Sequence, residues 1–131
     1  MNTVALENAF QRREILDSLG NPGGKDDYVI GLRGRMRTDR EGAEATVVIR
    51  YIPDKLILKP ESLQTYLDAL EAMEWDSLER IAVTIAKDIG NQLVTRWVQA
   101  TLRIGSHDVS VEDRQPGWRN DDLLWRLPPI D

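Results

Sequence analysis

Between Asp76 and Leu93 the apolar residues stand at Leu78, Ile81, Ala82, Ile85, Ile89 and Leu93, the repeat of one face of an α-helix. A stripe of that length has to be buried, so the chain must supply a second layer to cover it. A shorter helix precedes it. Pro60 sits where a first helical turn tolerates proline, and Leu63, Leu67 and Leu70 mark one face of a helix running to about Met73. The covering layer is found on both sides of this helical pair. Tyr28 to Leu32 and Ala45 to Ile52 are β-prone and read as a hairpin with a long, basic connection that includes Asp39 to Gly42. Arg96 to Ile104 and Asp108 to Val111 read as a second hairpin turning at Gly105-Ser106.

The core order is therefore ββααββ: an α+β unit in which four antiparallel strands carry both helices on one face. Asn2 to Leu19, with Leu6, Ala9, Phe10, Ile15 and Leu16, predicts a short leading helix closed by the turn Gly20 to Gly24. From Pro116 the chain holds Trp118 and Trp125 among polar residues and ends in Pro128-Pro129-Ile130-Asp131, a tail expected to be irregular. We read residues 1–131 as one domain: leader 1–24, core 25–113, tail 114–131. An open four-stranded sheet has two unprotected edges, and joining copies edge to edge satisfies them, so a homo-oligomer is expected.

Composition removes several chemistries. There is no cysteine, which excludes disulfides, thiolate metal ligands and cysteine nucleophiles together. One histidine leaves little for a metal centre beyond carboxylates, and no metal site is expected. With 17 Lys and Arg against 22 Asp and Glu, the net charge of −5 argues against nucleic acid as a partner, because phosphate-backbone binding needs a basic surface. No apolar run approaches the roughly 18 residues of a spanning helix. The first residues show no cationic start followed by an apolar stretch, so a cytoplasmic setting is expected.

Three segments carry a resemblance to a known family. Leu19-Gly20-Asn21, Ile49-Arg50-Tyr51-Ile52-Pro53-Asp54-Lys55 and Ser62-Leu63-Gln64-Thr65-Tyr66-Leu67 resemble, in order and spacing, segments of the QueF family of NADPH-dependent 7-cyano-7-deazaguanine reductases. Trp97 to Val111 adds a weaker match, and coverage runs over roughly residues 16 to 118. The resemblance implies a tunnelling-fold (T-fold) subunit and rings of such subunits, with ligand sites between neighbours. It also implies which residues to inspect. The family's nucleophilic cysteine falls at Met36, whose thioether has no ionisable proton and cannot form a thioimide. Its aspartate proton donor falls at Ala43, beside Glu44. Its reductant motif appears as Lys59-Pro60-Glu61-Ser62-Leu63-Gln64-Thr65-Tyr66: Ser62 and Tyr66 fit as cofactor contacts, but both lysines are gone, so NADPH held in the family manner is not expected, nor is another cofactor. Glu79 falls on the glutamate that fixes a purine- or pterin-like ring. Leu78 stands in place of the family's histidine, and Leu58, Lys59 and Pro60 fall among the implied ligand-binding positions.

Read without the resemblance, several of these residues have a second meaning. Asp76-Ser77-Leu78-Glu79 fits a capping box, with Asp76 as N-cap, Glu79 reaching back to its amide, and Trp75 as the staple residue ahead of it. Arg33, Arg35, Arg37 and Arg40 make either an anion patch or a solvated basic edge that discourages strand pairing. His107 reads as an exposed turn residue. Together with Lys55, Lys59 and Glu44, it is a candidate acid or base if the chain runs a cysteine-independent T-fold reaction.

Overall fold

The computed structural model describes residues 9–38 and 42–130. In chain order the elements are α1 (Ala9–Glu14), β1 (Ser18–Gly20), β2 (Ile30–Arg37), β3 (Glu44–Ile52), β4 (Leu56–Leu58), α2 (Pro60–Glu71), α3 (Leu78–Leu93), β5 (Trp97–Ile104), β6 (His107–Arg114) and α4 (Asp121–Trp125). The main sheet is antiparallel in the order β2-β3-β5-β6. Strands β2 and β3 precede the helical pair α2–α3, and β5 and β6 follow it, which is the ββααββ α+β unit expected.

Period-two patterning fixes which face meets the helices. Met36, Ala45, Val47, Ile49, Tyr51, Val98, Ala100 and Leu102 are buried on that face, where they join Leu63, Leu67 and Leu70 of α2 and Ile81, Ile85, Ile89 and Leu93 of α3 in one core. Each such aliphatic side chain contributes roughly 1.5–3 kcal/mol by leaving water. Strand β2 runs five residues beyond the expected end at Leu32. The supposed basic connection is itself alternating, with Gly34 and Met36 inward and Arg33, Arg35 and Arg37 outward, and residues 39–41, including Arg40, lie outside the described residues.

Other differences concern short elements. The leading helix spans Ala9–Glu14, while Leu6 and the rest of residues 1–8 lie outside the described residues. It does not reach Leu19, because Ser18, Leu19 and Gly20 pair with Leu58, Ile57 and Leu56 in a two-stranded ribbon. Its Arg12 docks it on the body: the guanidinium binds the buried Asp88 of α3 through Nε at 2.9 Å and Nη2 at 3.2 Å, and the Tyr66 hydroxyl donates to the same carboxylate at 2.6 Å. The tail is also more ordered than expected. Asn120 caps α4 by accepting from the Leu123 amide, and beyond it the carbonyls of Pro128 and Ile130 accept from Arg50 Nη1 and Arg103 Nη2, each at 2.6 Å. The tail therefore lies across the sheet face turned away from the helices. No helix among the described residues is long and apolar enough to cross a membrane.

Candidate functional site at the start of the long helix

The N-terminus of α3, the end of β2 and the start of β6 share one end of the sheet, since Arg35, Thr46, Arg103 and Asp108 form a single rung across all four strands. The helix starts at Leu78 with Ser77, not Asp76, as its N-cap: the Ser77 hydroxyl accepts from the Arg80 amide at 3.0 Å. Its extended backbone lets Ser77 reach that amide, and the capping box built on Asp76 and Glu79 does not form. Trp75 is not a staple either, because its indole Nε1 donates to the Leu70 carbonyl at 2.8 Å and closes the end of α2.

Glu79 is therefore the second residue of the helix, and its carboxylate is not consumed by a neighbouring cap. Its Oε2 lies 3.0 Å from Nε2 of His107, the first residue of β6, and both side chains are more than half exposed. A hydrogen bond from Glu79's own amide, then the His107 contact, lowers the carboxyl pKa below the usual glutamate value. The sequence offered no sign of this pairing, because 28 positions separate the two residues and only the hairpin at Gly105 returns His107 to the helix start. An open depression of about 450 Å³ adjoins the same helix end, lined by Glu74, Trp75, Asp76 and Arg80.

The remaining candidate positions divide sharply. Leu78 is buried in the core and faces away from Glu79's surface. Met36 is fully buried beneath the helices. Ala43 closes the β2–β3 hairpin through its carbonyl, which accepts from the Thr38 amide at 3.0 Å. Leu58 is a core residue whose amide donates to the Tyr51 hydroxyl at 2.8 Å. Lys59 Nζ pairs with Asp17 at 3.0 Å, Pro60 is the first residue of α2, and Lys55 is exposed. Of the cofactor candidates, the Ser62 hydroxyl accepts from the Asp17 amide and donates to the Lys59 carbonyl. Tyr66 is fully buried with its hydroxyl on Asp88, and burial raises its pKa well above the ordinary phenol value. In this subunit both hydroxyls serve internal bonds.

Gln64, at a position where the resemblance implies a lysine, bonds to the backbone of β2. Its side-chain carbonyl accepts from the Arg35 amide at 3.1 Å and its amide donates to the Arg35 carbonyl at 2.8 Å, a side-chain copy of a strand bridge. Glu71 accepts from the Arg37 amide at 2.8 Å. Helix α2 thus seals the outer edge of β2 at Arg35 and Arg37, and closes part of an edge expected to be open.

Two of the three segments that carry the resemblance, those around Asn21 and Asp54, are brought together at the other end of the sheet. Asn21 donates from Nδ2 to the Asp54 carbonyl at 2.8 Å, and its own amide donates to the Lys55 carbonyl at 2.8 Å. Arg96, missed by the sequence reading, binds Asp27 at 2.9 Å and Asp54 at 3.3 Å, and donates to the carbonyls of Gly24 and Asp26. Asn21, Tyr51 and Asp54 are scaffold residues in this chain.

No protein-family model matches the sequence. Among curated proteins the chain is similar to the NADPH-dependent 7-cyano-7-deazaguanine reductases of two strains of Acidithiobacillus ferrooxidans, each 29% identical over 125 residues, with 88% of this chain and 88% of the relative covered. Among solved structures it is similar to the archaeosine synthase QueF-Like in the apo form, with a TM-score of 0.53 and 18% identity over 71% of this chain and 96% of that one. The second likeness concerns the fold, and it agrees with the element order found here. In sequence, then, the chain is similar to 7-cyano-7-deazaguanine reductases, and in fold it is a T-fold unit like that of the QueF-Like structure.

Proposed function

We propose that this protein is a T-fold subunit that binds a 7-deazapurine- or pterin-like heterocycle through Glu79 and does not reduce a nitrile through a thioimide. The observation that carries the reading is the contrast at two positions. Glu79 presents a carboxylate at an exposed helix start, whereas the cysteine position holds a buried methionine in a chain with no cysteine. A carboxylate offers two acceptor oxygens to the parallel N–H donors of a 2-amino-pyrimidinone edge, and so sets the ring's orientation.

The site is open in one subunit, and in this reading a second copy closes it, with β6 of one copy lying beside β2 of the next. The seal at Arg35 and Arg37 confines such pairing to the other half of the β2 edge. NADPH is not part of the proposal, because Ser62 and Tyr66 are committed internally and Gln64 replaces a cation.

The test is titration calorimetry with 7-cyano-7-deazaguanine on wild type and Glu79→Ala. Saturable binding that falls at least tenfold in the variant is expected, and equal affinity in the two proteins refutes the role of Glu79. A second reading is favoured by the 3.0 Å Glu79–His107 contact: a cysteine-independent enzyme in which His107 moves a proton while Glu79 orients the ring. Substrate turnover that His107→Gln abolishes while binding persists would select it.

A further inference from the structure

Arg33, Arg35 and Arg37 project from one face of one strand, about 7 Å apart at successive alternate positions. Among the described residues the side chains of Arg33 and Arg37 have no hydrogen-bond or ion-pair partner, and Arg35 has only a 3.8 Å contact with Glu44. The neighbouring Arg50 adds to the positive field. Its pKa is lowered first by burial and then by the charge of Arg33, while its own donors are occupied by Gln99 and the Pro128 carbonyl. The three arginines line a cavity of about 800 Å³ that continues past Thr46 and over the β2 edge to Asp68 and Glu71 of α2. That volume lies within the range of small-molecule sites.

Three carboxylates share the lining, Glu44, Asp68 and Glu71, and among the described residues only Glu44 contacts an arginine side chain, Arg35 at 3.8 Å. The Glu71 carboxylate accepts from the Arg37 amide, and Asp68 accepts from Gln64. On the opposite edge of the sheet Asp108 is paired with Arg103 at 3.4 Å, and Glu112 with the Trp97 indole and Arg114. A second copy placed edge to edge would therefore arrive with its acids already engaged. The Gln64 and Glu71 bonds also keep another strand from zipping along this half of β2, so the cavity stays open in an assembly.

We propose that this cavity is a phosphate site, in which the guanidinium forks of Arg33, Arg35 and Arg37 hold the phosphate of a small-molecule ligand and the α2 carboxylates receive N–H donors from the rest of it. Planar guanidinium groups match phosphate oxygens in a bidentate way that lysines do not. Combined with the Glu79 reading, the inference names the substituent: the heterocycle arrives as a phosphate ester. The anion site itself does not depend on that reading.

The experiment compares guanosine 5′-monophosphate, guanosine and inorganic pyrophosphate by titration calorimetry on the full chain, alongside Arg33→Gln/Arg37→Gln and Arg33→Lys/Arg37→Lys. Both residues are exposed, so thermal melts should show both variants folded. The expected result is at least tenfold tighter binding of the monophosphate than of guanosine, lost in the glutamine variant and only partly restored by lysine. Pyrophosphate binding with the same arginine dependence but no guanosine binding keeps the phosphate site and refutes the heterocycle reading. Equal affinity for guanosine and its monophosphate overturns the phosphate site. So does a glutamine variant that changes oligomeric state without changing affinity, or a single-stranded oligonucleotide that outcompetes the monophosphate.

Discussion

Glu79, the second residue of the long helix, and His107, the first residue of the last strand, meet at 3.0 Å across the open end of the sheet. The contact contributes, after the Glu79 amide, to holding the carboxyl below its ordinary value of 4.5. A carboxyl whose folded pKa is depressed stabilises the fold above its unfolded value, and that contribution is lost as pH falls through the folded pKa. NMR titration of the Glu79 side chain should give a midpoint below 4.5 in wild type that moves part of the way up in His107→Ala. The amide bond remains in the variant, so full recovery of the ordinary value is not expected. An unmoved midpoint would show that the contact does not persist in solution.

Among the described residues the buried Asp88 carboxylate has two partners of unequal weight, Arg12 and Tyr66. Arg12→Ala leaves a buried charge without its counter-ion and should destabilise the fold by about 3–5 kcal/mol. Tyr66→Phe removes one hydrogen bond and should cost about 1–3 kcal/mol. Urea unfolding of the two variants should show that order, and the reverse order would mean that α1 does not dock through Arg12.

The seal on β2 is testable by hydrogen exchange. The amides of Arg35 and Arg37 are bonded to Gln64 and Glu71 and not to a strand, so Gln64→Ala should expose the first and Glu71→Ala the second, each without exposing the other. Gly34 is part of the same arrangement: a Cβ there would lie 2.6 Å from Leu67 Cδ1 and 3.0 Å from Gln64 Oε1. Gly34→Ala should cost about 1–3 kcal/mol by overpacking and release the Arg35 amide.

Helix α3 is capped at its C-terminus by Val94, a β-branched residue held at a φ of +52° with its side chain exposed. Left-handed backbone suits glycine and strains valine. Val94→Gly should stabilise the protein by about 0.5–1 kcal/mol in a thermal or chemical melt, since relief of strain outweighs the added freedom of the unfolded chain. A loss of stability would mean that the valine side chain packs more than its exposure indicates.

The sequence showed the architecture where periodicity was long and apolar. Leu78 to Leu93 and Ala45 to Ile52 are such segments, and their repeat admits only one element type. It concealed β2 beyond Leu32, because arginine on the outward positions made an alternating strand look like a charged loop. It also concealed the three-residue strands β1 and β4, which have no period to read and exist through their pairing with each other. At the site, the position of Glu79 was legible but its partner was not, since nothing local links it to His107. The cap was misread because Asp76 and Ser77 are both good N-caps, and only the backbone decides which hydroxyl or carboxylate reaches the free amide.

Intact-mass spectrometry tests most directly the proposed separation of heterocycle binding from thioimide chemistry. After incubation with 7-cyano-7-deazaguanine, with and without NADPH, we predict that the protein keeps its unmodified mass under conditions in which calorimetry shows the heterocycle bound. A mass increase of one nitrile equivalent, reversed by NADPH, would contradict it.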